Sequence, residues 1–308
     1  YILVDDCLKQ LQSLANHHRN NLECTVLAVC GSNGKTTSKE LIARVLDTEY
    51  NTFYTPGNFN NHIGVPLTLL RLNSTHEIAI IEMGANKLGD IKELVEIGEP
   101  TYGIITNIGA AHIEGFGSLA GVIKTKGEMY DFIGEHGGYI FVNDEDDTLK
   151  GILPERADVF RYGGENGQVL GELISQNPFV SFKWTHADYQ SPMLDTNLVG
   201  RYNFTNFLLA IALGVHFGVE PTEINTAITN YVPSNNRSQI TKTNRNTLIV
   251  DCYNANPTSM EAALESFREV TGDKKLAILG DMLELGDISD TEHEKIAHYL
   301  NSHQLDAI

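Results

Sequence analysis

The sequence predicts an α/β protein built on a mostly parallel sheet, and three observations support this. A short apolar run, Val26 to Cys30, passes through a glycine turn into a helical pattern, as expected for a buried parallel strand and its crossover helix. Two further apolar runs, 77–85 and 101–108, are typical of neighbouring parallel strands. The alternation of strand and helix restarts after residue 238, which predicts a second α/β unit.

Composition sets limits on location and partners. The 308 residues are 42% hydrophobic and 20% charged, and 22 basic against 40 acidic residues give a net charge of -18. This balance argues against a nucleic-acid surface. No apolar run approaches the roughly 18 residues that span a bilayer. We therefore expect a cytoplasmic protein with no nucleic-acid partner, no membrane insertion and reduced cysteines.

The segment GSNGKTT follows the first apolar run and opens a helix. Free N–H groups and the positive end of the helix dipole make such a turn an anion site. Lys35 would reach the β- and γ-phosphates of a nucleotide, and the Thr36 hydroxyl would ligate Mg²⁺. Only two residues separate the glycines instead of four, so an ordinary βα turn is also compatible with the pattern. The flanking strand and helix favour phosphate binding by Gly31, Ser32, Asn33, Gly34, Lys35, Thr36 and Thr37.

Polar side chains also follow the other predicted strands. Glu82 ends the second apolar run and His112 follows the third. The carboxyl ends of parallel strands share one edge of a sheet, which favours a Mg²⁺ site there, although an isolated Glu or His is usually solvated or capping. Asn58, Asn60 and Asn61 fit a helix-capping turn and a substrate contact equally well.

The remaining patterns divide the chain into three parts. A connecting helix and linker occupy 1–24, a central ATP-binding domain occupies 25–235, and an incomplete Rossmann-like α/β domain occupies 236–308. The boundary is the Pro- and Asn-rich stretch YVPSNNRS. Because the chain starts with Tyr1 instead of Met, we expect a fragment of a longer protein.

Within these parts, periodicity predicts the individual elements. The central domain should contain helices at 119–133 and 203–217, a strand at 139–143, and an antiparallel annex formed by VFRYG, FVSFKW and MLDTNLVG between residues 157 and 199. The last domain should contain strands at 247–252 and 275–280 and helices at 257–270 and 290–301.

Nine segments occur in order from about residue 26 to residue 286: GSNGKTT, GNFNNHIGVPLTLL, IEMGAN, TNIGAAHIEGFGS, KTKGEMY, GRYNFTN, NNRS, DCYNANPTSMEAAL and LGDMLELGD. Together they resemble the ATP-dependent Mur ligases, in particular the MurF type. The resemblance implies an ATP-dependent amide ligase of peptidoglycan precursor synthesis. Such an enzyme joins D-alanyl-D-alanine to UDP-N-acetylmuramoyl-tripeptide through an acyl phosphate and forms ADP. The family's UDP-gripping N-terminal domain has no counterpart in this sequence.

The resemblance also implies roles that spacing alone leaves open. Lys126 lies on a predicted helix, where most lysines are solvated, but its place in KTKGEMY implies a carbamate bridging toward the metal. The implied catalytic residues are Lys35, Lys126 and His112, and the implied metal ligands are Thr36, Glu82, His112 and carbamylated Lys126. The implied nucleotide contacts are Asn203 and Asn206 at the adenine, Arg237 at the phosphates, and Asp251, Tyr253 and Asn254 at the ribose and base. The implied dipeptide contacts are Asp281, Met282 and Leu285.

Other functions stay open at this stage. A sister Mur ligase or a folylpolyglutamate synthase-like ligase would share most motifs, although NFNN and DMLELG favour the MurF type. A P-loop protein acting as a nucleotide switch would bind ATP without ligating anything. A switch responds to nucleotide alone, whereas a ligase releases phosphate only when both of its other substrates are present. We expect a monomer.

Overall fold

The computed structural model describes residues 3–234, 236–272 and 274–302. Its strands are β1 (Thr25–Cys30), β2 (Thr52–Tyr54), β3 (Ile78–Glu82), β4 (Tyr102–Ile105), β5 (Tyr139–Asn143), β6 (Asp158–Tyr162), β7 (Leu170–Ser175), β8 (Ser181–His186), β9 (Tyr189–Gln190), β10 (Leu194–Asp195), β11 (Gln239–Lys242) and β12 (Thr247–Val250).

Its α-helices are α1 (Cys7–Asn20), α2 (Lys35–Leu46), α3 (Gly64–Leu69), α4 (Asp90–Gly98), α5 (Ile113–Phe116), α6 (Leu119–Glu135), α7 (Asp147–Gly151), α8 (Tyr202–His216), α9 (Pro221–Asn230), α10 (Pro257–Glu269) and α11 (Ser289–Ser302). Below, the main segment means residues 25–234 and the C-terminal segment means the described residues of 236–302. No helix in the described ranges is both long enough and apolar enough to cross a bilayer.

The predicted parallel sheet is confirmed. Its six strands lie in the order β2-β3-β1-β4-β5-β6, and every pair is parallel. Helices α2, α8 and α9 cover one face, and α1, α3, α4 and α6 cover the other. Because β1 is central and covered on both faces, its residues from Val26 to Cys30 are all buried. The loops after β1, β3 and β4 therefore leave the sheet side by side at its carboxyl edge.

The assignment of VFRYG to the antiparallel annex was wrong. These residues belong to β6, which pairs in parallel with β5 at the edge of the main sheet. An edge strand is covered less completely than a central one, so β6 alternates between partly buried and buried residues after its exposed first residue, as an antiparallel strand does. The annex itself is a separate antiparallel sheet in the order β10-β8-β7, with β9 paired to β8. The Trp184 indole N–H anchors it to α9 by donating to Asn225 Oδ1 at 2.8 Å.

The C-terminal segment differs from the prediction in its strands. Helices α10 and α11 form as expected, but β12 pairs with β11, an unpredicted strand, in an antiparallel hairpin. In the described residues, 275–280 contains one bridge residue, Leu276, and no ladder with the hairpin, so the predicted strand there stays a prediction. Ile278 in this stretch is 88% exposed. Apolar periodicity records which side chains can be buried and says nothing of the backbone partner a strand requires.

Candidate active site

A cavity of about 630 Å³ lies between the carboxyl edge of the main sheet and the C-terminal segment. Eighteen of the residues predicted from sequence line it: Gly31, Ser32, Asn33, Gly34, Lys35, Thr36, Thr37, Asn60, Asn61, Glu82, His112, Lys126, Asn203, Asn206, Arg237, Asp251, Tyr253 and Asn254. The lining does not include Asn58, Asp281, Met282 or Leu285. Residues more than 200 positions apart in the chain thus meet around one space.

The glycine turn after β1 requires its glycines. Gly31 has φ +144° and Gly34 has φ +79°, in the region that side-chain-bearing residues rarely adopt. A Cβ on Gly31 would lie 1.9 Å from Thr106 Oγ1. The turn is also tied to the loop after β4, because Ser32 N donates to Asn107 O at 2.9 Å. The turn therefore has a fixed shape, with the N-terminus of α2 directed at the cavity.

Lys35 is the first residue of α2 and folds back over this turn. Its ammonium donates to Gly31 O at 2.8 Å and to Ser32 O at 3.2 Å. Burial lowers the pKa of Lys35, and the carboxylate of Glu82 opposes that shift. The ammonium thus lies at the helix N-terminus, where a phosphate would bring compensating negative charge.

Glu82, at the end of β3, is 1% exposed and joins three parts of the site. Its Oε2 accepts from Thr36 Oγ1 at 3.0 Å, and its Oε1 accepts from Asn60 Nδ2 at 2.8 Å. Lys39 Nζ lies 3.5 Å from the same Oε2. One carboxylate therefore joins helix α2, the end of β3 and the loop that carries Asn60.

Lys39 is a residue that the sequence interpretation missed. It is 1% exposed, and besides Glu82 its ammonium donates to Thr55 O at 2.8 Å and Gly57 O at 3.3 Å. A helix lysine is usually solvated, which explains the omission. The available signal was spacing, because Lys39 follows Lys35 by four residues and so lies on the same helix face.

Replacing Lys39 with methionine is expected to lower the free energy of unfolding by about 3–5 kcal/mol, because it leaves the buried Glu82 carboxylate without its counter-charge. Urea unfolding followed by circular dichroism measures the change. Lys92→Met is the matched control, since the Lys92 side chain is 69% exposed and pairs with Glu96 at the surface. Equal stabilities for the two variants would contradict a structural role for the buried pair.

The oxygen atoms near the glycine turn, residues 31–34 and below called the phosphate loop, suit a magnesium ion. The Thr36 hydroxyl and the Glu82 carboxylate are hard oxygen ligands within 3.0 Å of one another. His112, the other predicted ligand, has φ +54°, and its Nδ1 contacts the Glu284 carboxylate. In the described part of the chain, no three His, Cys, Asp or Glu side chains form a ready metal cluster. A further anionic oxygen, beside the Thr36 hydroxyl and the Glu82 carboxylate, would thus complete a set of ligands for magnesium.

Lys126 on α6 is 3% exposed and lines the same cavity. It makes no hydrogen bond or ion pair with any residue that the structure describes, and its ammonium lies 5.8 Å from the centre of the Phe116 ring. Burial, followed by the nearby charge of Lys35, lowers the pKa of Lys126 to about 8. A buried amine whose pKa is lowered in this way is chemically suited to carbamylation.

The start of α8 supplies a polar wall beside the phosphate loop. Asn206 Nδ2 donates to Asn203 Oδ1 at 2.9 Å, and Asn206 Oδ1 accepts from Ser38 Oγ at 3.1 Å. Asn203 Nδ2 in turn donates to Val199 O at 2.8 Å. The two asparagines are therefore fixed and buried, close enough to the loop that a Cβ on Gly34 would lie 2.9 Å from Asn206 Oδ1.

Opposite this wall, the C-terminal segment contributes an aromatic and an acidic group. The Arg237 guanidinium lies 3.7 Å from the centre of the Tyr253 ring. The Tyr202 hydroxyl donates to Asp251 Oδ2 at 3.1 Å, and burial raises the pKa of this carboxyl. Residues of both segments thus meet at this side of the cavity.

Other predicted substrate residues lie differently. Asn61 Oδ1 accepts from Gly64 N at 2.9 Å at the start of α3, so it caps a helix as well as lining the cavity. In the DMLELG segment, Met282 and Leu285 are buried and Asp281 pairs with His293 at 2.7 Å. Glu284, which the sequence interpretation omitted, is the residue of that segment that contacts His112. The dipeptide contacts assigned to this segment stay predictions.

The site is that of a nucleotide-dependent α/β enzyme, and family comparison gives its class. Residues 29–214 match the family model described as the Mur ligase middle domain, and residues 236–308 match the Mur ligase, glutamate ligase domain. The chain therefore belongs to the Mur ligase family, which consists of ATP-dependent ligases.

Its relatives carry the name that the resemblance indicated. UDP-N-acetylmuramoyl-tripeptide--D-alanyl-D-alanine ligase of Bacillus subtilis (strain 168) is 36% identical over 311 residues, covering 100% of this chain and 67% of the relative. A crystal structure of MurF from Acinetobacter baumannii has a TM-score of 0.90 and 32% identity, covering 99% of this chain and 68% of that one. MurF from Thermotoga maritima in complex with ADP has a TM-score of 0.87 and 26% identity, covering 97% and 70%. The predicted fold and MurF-type resemblance are confirmed.

Proposed function

We propose that this chain carries the ATP-binding centre of a ligase that joins D-alanyl-D-alanine to UDP-N-acetylmuramoyl-tripeptide in the cytoplasm. One observation carries the proposal: the phosphate loop, buried Lys126 and the C-terminal segment line a single cavity in a chain similar over its whole length to relatives of that name. We further propose that residues 1–24 form a connecting helix and linker, residues 25–235 the central ATP-binding domain, and residues 236–308 the C-terminal α/β domain. We also propose that the protein is a monomer.

The chemistry begins with activation, since a carboxylate is a poor electrophile. An oxygen of the tripeptide carboxylate attacks the γ-phosphorus of ATP, the bond to the β-phosphate oxygen breaks, and ADP leaves. The dipeptide amine, having lost a proton, then attacks the acyl carbon through a tetrahedral intermediate. Phosphate departs with the former carboxylate oxygen, and the amide remains. The protein positions the groups and offsets their charge.

The residues of the cavity suit these steps. Lys35 and the N-terminus of α2 would bind the transferred phosphate. Asn203 and Asn206 would contact the adenine, Arg237 the phosphates, and the Asp251 to Asn254 stretch the ribose and base. Closure of the C-terminal segment would exclude the water that otherwise hydrolyses the acyl phosphate. Asn60 and Asn61 would contact the tripeptide.

Magnesium and a carbamate complete the proposed centre. Thr36, Glu82 and His112 would hold Mg²⁺ together with a carbamate on Lys126. When bound, the ion would neutralise charge on the transferred phosphoryl group. With a pKa of about 8, roughly a tenth of the Lys126 amine is neutral at pH 7. That neutral amine can add CO₂ and release a proton, giving an anionic oxygen ligand.

Phosphate release by the full-length protein tests the function. With ATP and Mg²⁺, phosphate should appear only when UDP-N-acetylmuramoyl-tripeptide and D-alanyl-D-alanine are both present. Release on nucleotide alone would indicate a switch or a simple ATPase. Equal turnover with a single amino acid, such as glutamate, in place of the dipeptide would indicate a sister ligase instead.

A further inference from the structure

Asn33 and Asn256 form a pair of hydrogen bonds that joins the phosphate loop to the C-terminal segment. Asn256 Nδ2 donates to Asn33 Oδ1 at 2.8 Å, and Asn33 Nδ2 donates to Asn256 Oδ1 at 3.4 Å. Asn256 is only 7% exposed. The two amides therefore recognise each other in both directions across the cavity.

The backbone of Asn33 is held independently of this pair. Its N–H donates to Asn107 Oδ1 at 3.0 Å, and its carbonyl accepts from Thr106 Oγ1 at 2.6 Å and from Asn107 Nδ2 at 3.0 Å. The main segment thus fixes the Asn33 backbone and leaves its side-chain amide for a partner on the other segment. The loop presents this amide beside the phosphate-binding glycines.

Asn256, the other member of the pair, also caps helix α10. It is the N-cap of α10, where its Oδ1 accepts from Ser259 N at 2.9 Å while the Ser259 hydroxyl accepts from Asn256 N at 3.0 Å. Serine, threonine or aspartate caps a helix comparably well. None of them supplies the amide N–H that Asn256 donates to Asn33. The cap alone therefore does not require asparagine here.

The two segments also approach closely next to the pair. A Cβ on Gly109, in the loop after β4, would lie 2.8 Å from Thr258 Oγ1 on the first turn of α10. The start of α10 therefore packs against the loops after β1 and β4 together. The amide pair lies within a fitted contact between the segments.

We propose that Asn256 is a positioning residue for ligation, acting through Asn33. The reciprocal amide pair favours the arrangement in which α10 lies against the phosphate loop, so that the loop and the C-terminal segment enclose ATP together. Replacing Asn256 breaks the pair and shifts molecules toward a more open arrangement without altering any residue assigned to phosphate binding. This inference rests on the proposed ligase function.

Asn256→Ser tests it, because serine keeps the cap of α10 and removes the amide. We expect kcat for ligation to fall about five- to tenfold, the loss expected for one net neutral hydrogen bond, with circular dichroism and thermal midpoint unchanged. Asn256→Thr, which also caps, should behave alike. Asp146→Ser, a cap exchange at α7 outside the cavity, is the control and should leave kcat unchanged.

Two further measurements distinguish a positioning role of Asn256 from a purely structural one. Asn33→Ser combined with Asn256→Ser should cost no more than the larger single loss, since each removes the same pair. Small-angle scattering with the non-hydrolysable analogue AMP-PNP should show the ratio of closed to open molecules reduced by the same factor in Asn256→Ser. Additive losses, or closure identical to the unsubstituted protein, would overturn the inference. Because scattering needs no turnover, this outcome is distinct from failure of the ligase proposal.

Discussion

Replacing Lys126 with alanine is expected to abolish amide-bond formation while ATP still binds. Lys126 is buried, its pKa is lowered to about 8, and it lies within the electrostatic reach of Lys35. An unmodified ammonium there would oppose both Lys35 and a magnesium ion in a poorly solvated cleft. A carbamate removes that conflict and supplies an anionic oxygen. Alanine removes the oxygen ligand and leaves the phosphate loop intact.

Chemical rescue makes this prediction specific. Acetate or formate should restore part of the ligation rate of Lys126→Ala by placing a carboxylate in the vacated volume. Lys124→Ala, exposed on the same helix, is the control and should ligate normally with or without added carboxylate. Near-normal ligation by Lys126→Ala, or a loss that no small carboxylate relieves, would contradict the carbamate.

Replacing Lys35 with alanine is expected to weaken ATP binding about 10- to 100-fold, as for loss of a charge-assisted hydrogen bond. The fold should persist, because the Lys35 ammonium donates to the carbonyls of Gly31 and Ser32 in the wall of the cavity and does not pack in the apolar core. Calorimetric titration with ATP and Mg²⁺ measures the affinity, and circular dichroism checks the fold. Lys92→Ala, a surface change on α4, should bind ATP unchanged. A folded Lys35→Ala with full affinity would remove the phosphate loop from the nucleotide site.

The sequence predicted the main sheet well because a parallel strand covered on both faces is a continuous apolar run. β1, β3 and β5 each appear this way. The pairing of the strands was harder to predict from the sequence. The alternation in β6 is the same whether its neighbour is parallel or antiparallel, and the apolar residues 275–280 carry no record of whether a partner lies alongside. Periodicity reports which side chains are buried and does not report hydrogen-bond partners.

For the site, motifs located what lines the cavity but not how its residues are paired. The brace formed by Lys39 on Glu82 and the contact between Glu284 and His112 join residues 43 or more positions apart. In neither pair does the sequence around one residue indicate which residue it contacts. The asparagines illustrate the same limit, because Asn61 both caps α3 and faces the cavity, and composition alone cannot separate these roles.

The acyl phosphate is the central claim, and oxygen transfer tests it most directly. Both oxygens of the terminal carboxylate of the tripeptide acceptor are labelled with ¹⁸O, and the full-length protein is given ATP, Mg²⁺ and D-alanyl-D-alanine. Phosphate from each ligation is then analysed by mass spectrometry. We expect one ¹⁸O atom in each phosphate released, because the carboxylate oxygen that attacks the γ-phosphorus leaves with it. Ligation that releases unlabelled phosphate would contradict an acyl phosphate intermediate.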